Sequence, residues 1–148
     1  MKSKLLHDAH GQRTFALVFD IGDEVVGGLR AFATEHALTA SHFTAIGALT
    51  DAVLGYFDWK RKEYKRIPVQ EQVEVLSMVG NVVPKDGAPQ VHAHVVIGKS
   101  DGTAHGGHLL EAHVRPTLEL IVVESPAYLR REHDEAMGFA LIKIPRAA

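Results

Sequence analysis

The chain contains no cysteine. That excludes a disulfide framework and any thiolate-ligated zinc centre. It also fits a reducing compartment, so a cytoplasmic location is expected. No apolar run approaches the roughly 18 residues that a membrane-spanning helix needs. Met1-Lys2-Ser3-Lys4-Leu5-Leu6-His7-Asp8 starts basic but lacks the apolar stretch of a signal peptide, so no membrane partner is expected. A basic excess is missing too. The formal net charge is −2 with neutral histidines, which counts against strong, non-specific affinity for nucleic acid. Internal repeats, low-complexity stretches and linkers are also absent, so residues 1–148 read as a single domain. Apolar residues at 46% and charged residues at 23% are ordinary for one folded core.

The elements follow from periodicity. Phe15-Ala16-Leu17-Val18-Phe19-Asp20 reads as a strand. Asp23 is placed to cap a helix whose apolar face is Val25, Val26, Leu29, Phe32, Ala33 and Ala37. Gly27-Gly28 within it is read as close packing on a sheet. Residues 43–49 and 52–58 form one long, glycine-interrupted strand with a bulge or kink. Residues 63–67 return as its hairpin partner, ended by Pro68. Val73 to Val83 is a further strand, and Pro84 to Pro89 is a loop by composition. Thr117 to Val123 is a near-continuous apolar strand, expected to be buried on both faces. A polar segment from Tyr128 to Asp134 precedes a last strand, Gly138 to Ile144. One helix among many strands makes the class α+β, with a mostly antiparallel sheet and the main helix packed on it.

What the chain has in abundance is histidine, ten residues in all. Val91-His92-Ala93-His94-Val95-Val96-Ile97-Gly98 reads as a strand, so His92 and His94 point to one face. After a turn-rich stretch, Gly106-Gly107-His108 can aim a third imidazole at that pair, the glycines allowing close backbone approach. Three neutral imidazoles suit a divalent transition metal, with zinc the first expectation. Glu111 and Glu119 lie nearby in sequence. Either could orient an imidazole through its far N–H, complete the coordination or move protons. His105, His113, His7, His10, His36, His42 and His133 share no face with these three, and His105 is the first to reconsider. A His-x-His pair also occurs on solvated sheet faces, but that does not explain a glycine pair before a third histidine.

Val91 to Gly98, Asp101-Gly102, Gly106-Gly107-His108-Leu109-Leu110-Glu111 and Pro116-Thr117-Leu118-Glu119 together resemble the PPC domain. This plant and prokaryote domain also occurs in plant AT-hook proteins. Ile46-Gly47-Ala48-Leu49-Thr50-Asp51-Ala52-Val53-Leu54-Gly55-Tyr56-Phe57-Asp58 resembles its glycine-containing strand, and the likeness runs from about Phe15 to Ile144. The resemblance implies a PPC-like homotrimer in which His92, His94 and His108 form a structural metal-binding unit. It also implies a stand-alone bacterial member of a group labelled DNA-binding. An AT-hook needs Arg-Gly-Arg-Pro to enter the narrow minor groove. This chain lacks it, and His113-Val114-Arg115-Pro116 shares only the last two letters. The plant domain's Gly-Arg-Phe-Glu-Ile-Leu segment corresponds to Gln72-Val73-Glu74-Val75-Leu76, without its Gly, Arg and Phe.

Three readings follow. The first is a DNA-associated or regulatory interaction module, with Lys60, Arg61, Lys62, Lys65 and Arg66 as nucleic-acid contacts, multiplied by trimerisation. The plain alternative for that run is a charged sheet edge protected from aggregation. The second is a metal-dependent enzyme of hydrolase or lyase type acting on a small-molecule ligand. A metal that only braces the fold or the trimer is the third possibility.

Overall fold

Side chains alternating between core and solvent dictate most of this architecture. In the computed structural model, which describes residues 1–125 and 129–144, the elements are β1 (Lys2–Ala9), β2 (Gln12–Phe19), α1 (Val25–Glu35), β3 (Ser41–Asp58), β4 (Glu63–Val69), β5 (Val73–Lys85), β6 (Ala88–Gly98), β7 (Ala104–Glu124), β8 (Arg131–Asp134) and β9 (Phe139–Ile142). The sheet runs β1-β2-β7-β3-β5-β8-β9, with β4 on β3 and β6 bridging β5 and β7. Every pairing is antiparallel except the brief β5–β8 contact at Lys85 and Arg131. The pairings β3–β5, β5–β6, β6–β7 and β7–β3 close a circuit. The architecture is thus a mostly antiparallel sheet with one helix, as expected.

The helix covers one face. Val25, Leu29, Phe32 and Ala33 are buried, and α1 packs against β6 and β7. Phe32 meets Phe15 edge-on with ring centroids 5.2 Å apart. A Cβ on Gly28 would stand 2.5 Å from the Phe19 ring, so the glycine is there for close packing. The cap is Glu24, not Asp23. Its carboxylate accepts from the N–H groups of Val26 (3.1 Å) and Gly27 (2.5 Å), while Asp23 instead closes the preceding turn by accepting from the Asp20 N–H at 2.8 Å.

Several boundaries differ from the expectations above. The Pro84–Pro89 stretch is a hairpin, not a loop. Pro84 pairs with Pro89 across a two-residue turn in which Asp86 and Gly87 have φ of 51° and 79°. β4 continues through Pro68 to Val69. β1 carries no strong apolar alternation and was missed. The last strand is shorter than expected and pairs with β8, inside what read as a polar segment; Tyr128 lies outside the described residues.

The strand over 117–123 is buried on one face only. Leu118, Leu120 and Val122 are buried, but Ile121 is 44% exposed. The helix covers one side of the sheet, and among the described residues nothing shields the outward side chain of Ile121 on β7. Among the described residues no helix is long and apolar enough to cross a membrane.

Candidate metal centre

Ala93, Val95 and Ile97 of β6 point into the core, so His92 and His94 must point to the opposite, outer face. His108, beyond the turn-rich stretch, is itself a strand residue. It lies in β7, directly across from His94 in the antiparallel β6–β7 ladder. Gly107 makes this possible, because a Cβ there would stand 2.9 Å from the carbonyl oxygen of Gly55.

The three rings converge. Centroid separations are 5.3 Å for His92–His94, 5.0 Å for His92–His108 and 5.3 Å for His94–His108. One nitrogen from each ring lies within 4.8 Å of the others. An ion about 2.0–2.1 Å from each nitrogen spans donors up to ~4 Å apart. The triad therefore closes on an ion with side-chain shifts of the order of an ångström. The donor set is three nitrogens, with no thiolate and no carboxylate, which suits zinc and its neighbours in the first transition row.

Burial favours the neutral, ligating form. Desolvation, then the charges of Arg131 and His94, lowers the His92 pKa. Desolvation, then His92, His94 and Arg131, pushes His108 down to about 4. For a histidine depressed in the fold, the stability contribution is complete above the unfolded pKa near 6.5 and is lost as pH falls toward the folded value. The melting temperature of the metal-free protein should therefore fall between pH ~6.5 and 4. A His108→Gln variant should flatten that slope. His113 works in the opposite sense. Its hydrogen bond to Asp51, at 2.8 Å, raises its pKa, so its contribution is complete below ~6.5 and fades as pH rises through the folded value.

The surroundings are aromatic on one side and cationic on the other. Phe57, Tyr64, Gln90, Arg131, Phe139 and Ala140 join the three histidines around a cavity of about 290 Å³. The Tyr64 ring lies against His108 at 4.7 Å between centroids, and its hydroxyl is 3.4 Å from His108 Nδ1. Burial raises the Tyr64 pKa, so it stays a phenol at neutral pH. With Nδ1–H donating to that oxygen, Nε2 keeps the lone pair a metal needs. Arg131, 7% exposed, comes from the β8–β9 hairpin. Its Nη2 donates to Asn81 Oδ1 at 2.7 Å and stands 3.2 Å from His92 Nδ1, and its Nη1 donates to the Ala140 carbonyl at 3.1 Å. Neither Arg131 Nε nor Gln90 Oε1, both buried, has a hydrogen-bond partner among the described residues.

The remaining sequence candidates lie elsewhere. Glu111 is paired with Arg66 at 3.3 Å and lines a separate depression beside Thr50 and Asp51. Glu119 lies farther along β7, opposite Ile46, beside Ile121 in an apolar depression. Its strand is not buried on both faces, so Glu119 is exposed. His105 pairs with Ile97 and is also exposed. Of the basic run, Arg61 faces Glu63 at 3.8 Å. The Lys62 ammonium sits over the Trp59 ring and donates to the Ala136 and Met137 carbonyls at 2.7 and 3.3 Å. Lys60 and Lys65 are exposed.

The chain is similar to a metal-containing protein from Archaeoglobus fulgidus, with 40% identity, a TM-score of 0.81 and coverage of 86% of this chain and 91% of that one. A plant- and prokaryote-conserved (PPC) protein from Pyrococcus horikoshii is 31% identical, with a TM-score of 0.85 over 99% of this chain and 97% of that one. A protein from Ralstonia eutropha described as a "putative DNA-binding protein" is 28% identical, with a TM-score of 0.82 over 88% and 91%. The chain also matches, at 29% identity over 139 residues, the "Bifunctional protein GlmU" of a Synechococcus strain, spanning 21% of that protein's length. The pattern of the Plants and Prokaryotes Conserved (PCC) domain matches residues 7–126, and the chain belongs to that family.

Proposed function

We propose that His92, His94 and His108 bind one divalent transition metal, zinc in the first place, and that the metal acts on a small molecule entering the cavity. The convergence of three imidazoles at the wall of an open cavity carries this reading. A metal confined to bracing needs no such access. Three protein ligands leave a position free, where the ion would supply Lewis acidity for hydrolase or lyase chemistry. The Archaeoglobus relative, described as metal-containing, supports the metal. Tyr64, with its hydroxyl 3.4 Å from His108 Nδ1, is placed to pass a proton, whereas Glu111 would first have to leave Arg66.

Chelated protein should take back one equivalent of zinc or cobalt(II) per chain. The cobalt(II) visible spectrum should respond to added small ligands through an exchangeable position. Four protein donors with no exchangeable position would overturn the catalytic reading and leave bracing.

We also propose that the outer sheet face mediates self-association, with the homotrimer implied by the family as the expected form. Ile46, Val79 and Ile121 are 61%, 52% and 44% exposed. Cross-strand neighbours form one row over this face, through Ala16, Ile121, Thr44, Val79, His94 and His108. The apolar surface thus runs directly to the metal site. Ile46→Asp should shift the assembly toward monomer in light-scattering chromatography, whereas chelation should leave its mass unchanged. Loss of the assembly on chelation would favour bracing.

DNA contact comes to this chain from the description of the Ralstonia relative. Arg61, Lys62 and Arg66, three of its five candidate contacts, already have local partners. It therefore stands behind the metal reading.

A further inference from the structure

Arg131 poses an electrostatic problem that the three histidines do not answer. It is 7% exposed, and among the described residues no carboxylate pairs with it. A buried cation without a counter-charge is costly, because its lost hydration is not offset by a nearby anion. Here it stands 3.2 Å from His92, one of three residues placed to hold a second cation. Among the described residues the cavity lining contains Arg131 and three histidines but no Asp or Glu. Asn81 and Ala140 accept hydrogen bonds from the guanidinium without neutralising it, and its Nε–H is buried with no acceptor. The protein thus builds a positive pocket and leaves the compensating charge to something else.

We propose that the compensating group is the carboxylate of a short-chain organic acid, held between Arg131 and the open side of the three-histidine site. A guanidinium is the side chain best suited to recognising a carboxylate, through directed N–H donors. The rest of the lining selects against a bare inorganic anion. Phe57 packs edge-on against Phe139 at 5.1 Å and against Tyr64 at 5.2 Å, giving an apolar wall for a hydrocarbon tail. The volume of about 290 Å³ is at the lower end for ligand sites, so the acid is small. Arg131 fixes the charged end, the aromatic wall seats the tail, and the atoms next to the carboxylate face the metal. This deepens the small-molecule reading and rests on it for the metal contact alone.

The test uses cobalt(II)-loaded full-length protein with metal content checked by elemental analysis. Propionate is titrated while the visible spectrum is followed, with inorganic phosphate in a parallel titration. Saturable propionate binding is expected, at least tenfold tighter than phosphate. Arg131→Gln, compared at equal metal content, should weaken propionate at least tenfold, and Arg131→Lys should fall between. Wild-type protein that holds cobalt but gives no saturable response to propionate overturns the proposal. So does phosphate binding equally well, or Arg131→Gln binding propionate as wild type does. If no metal is retained, the metal reading fails by itself. The acid is then followed on metal-free protein by NMR shifts of the Phe57, Tyr64 and Phe139 rings, where an Arg131-dependent response supports the proposal and its absence overturns it.

Discussion

Replacing His108 with alanine should abolish stoichiometric metal binding while leaving the fold in place. His92 and His94 come from one strand, and only His108 brings a donor from the second. Without it, two imidazoles remain, and two donors do not hold a borderline divalent ion against water. Losing a residue that merely orients a ligand costs about 10–100-fold in metal affinity, so losing a ligand should cost more than ~100-fold. The side chain points away from the core, whose packing through Leu109 and Ala112 is untouched. Elemental analysis after dialysis, with His92→Ala alongside, measures the effect. His105→Ala, on the same strand but away from the triad, should retain the ion. Full metal content in His108→Ala would overturn the three-histidine site.

Gly47→Ala should be the most damaging single-methyl addition in the protein. Gly47 has φ of +150°, a region that L side chains rarely adopt. An added Cβ would fall on the carbonyl oxygen of Thr117 and stand 2.8 Å from Leu118 Cα. These are backbone atoms of β7, and they cannot swing aside as the end of a long side chain can. The register between β3 and β7 shifts here, so the glycine sits where the two longest strands readjust. Strain and overlap together should cost about 3 kcal/mol or more. The melting temperature should drop by roughly 10 °C. Calorimetry reads this directly, and a change under ~2 °C would mean that the strands separate without penalty at this point.

The two substitutions also mark how much the sequence discloses. The spacing of His92 and His94 fixes one shared face because strand geometry has period two. The glycine interruptions at Gly47 and Gly55 point to one long strand with a bulge or kink, and β3 is a single long strand whose register shifts beside Gly47 and at Val53/Leu54. Other features had no local signature. Pro84 and Pro89 read as loop residues, yet they face each other at the mouth of a hairpin. The strand over 117–123 read as doubly buried because its residues are nearly all apolar. Whether a face is covered depends on where α1 lies, and among the described residues no helix lies over the outer face at Ile121.

Arg131 was the residue that sequence reasoning missed. It lies in a polar stretch, beside Arg130 and Glu132, and resembles any surface arginine. No periodicity or motif announces that β8 and β9 bring it to the histidines. Its importance arises only when burial removes water and leaves a guanidinium beside three imidazoles. Glu111 was the opposite case, conspicuous for its position after His108 but held at Arg66 in the fold.

The sequence by itself determined the α+β class, the main helix and the shared face of His92 and His94, because each rests on short-range periodicity that backbone geometry enforces. The tertiary structure decided the rest. Long-range pairing placed His108 opposite His94, put Arg131 and Tyr64 at the cavity and left both glutamates outside it. Such contacts depend on strand register and on which face the helix covers, and neither is encoded in any local run of residues.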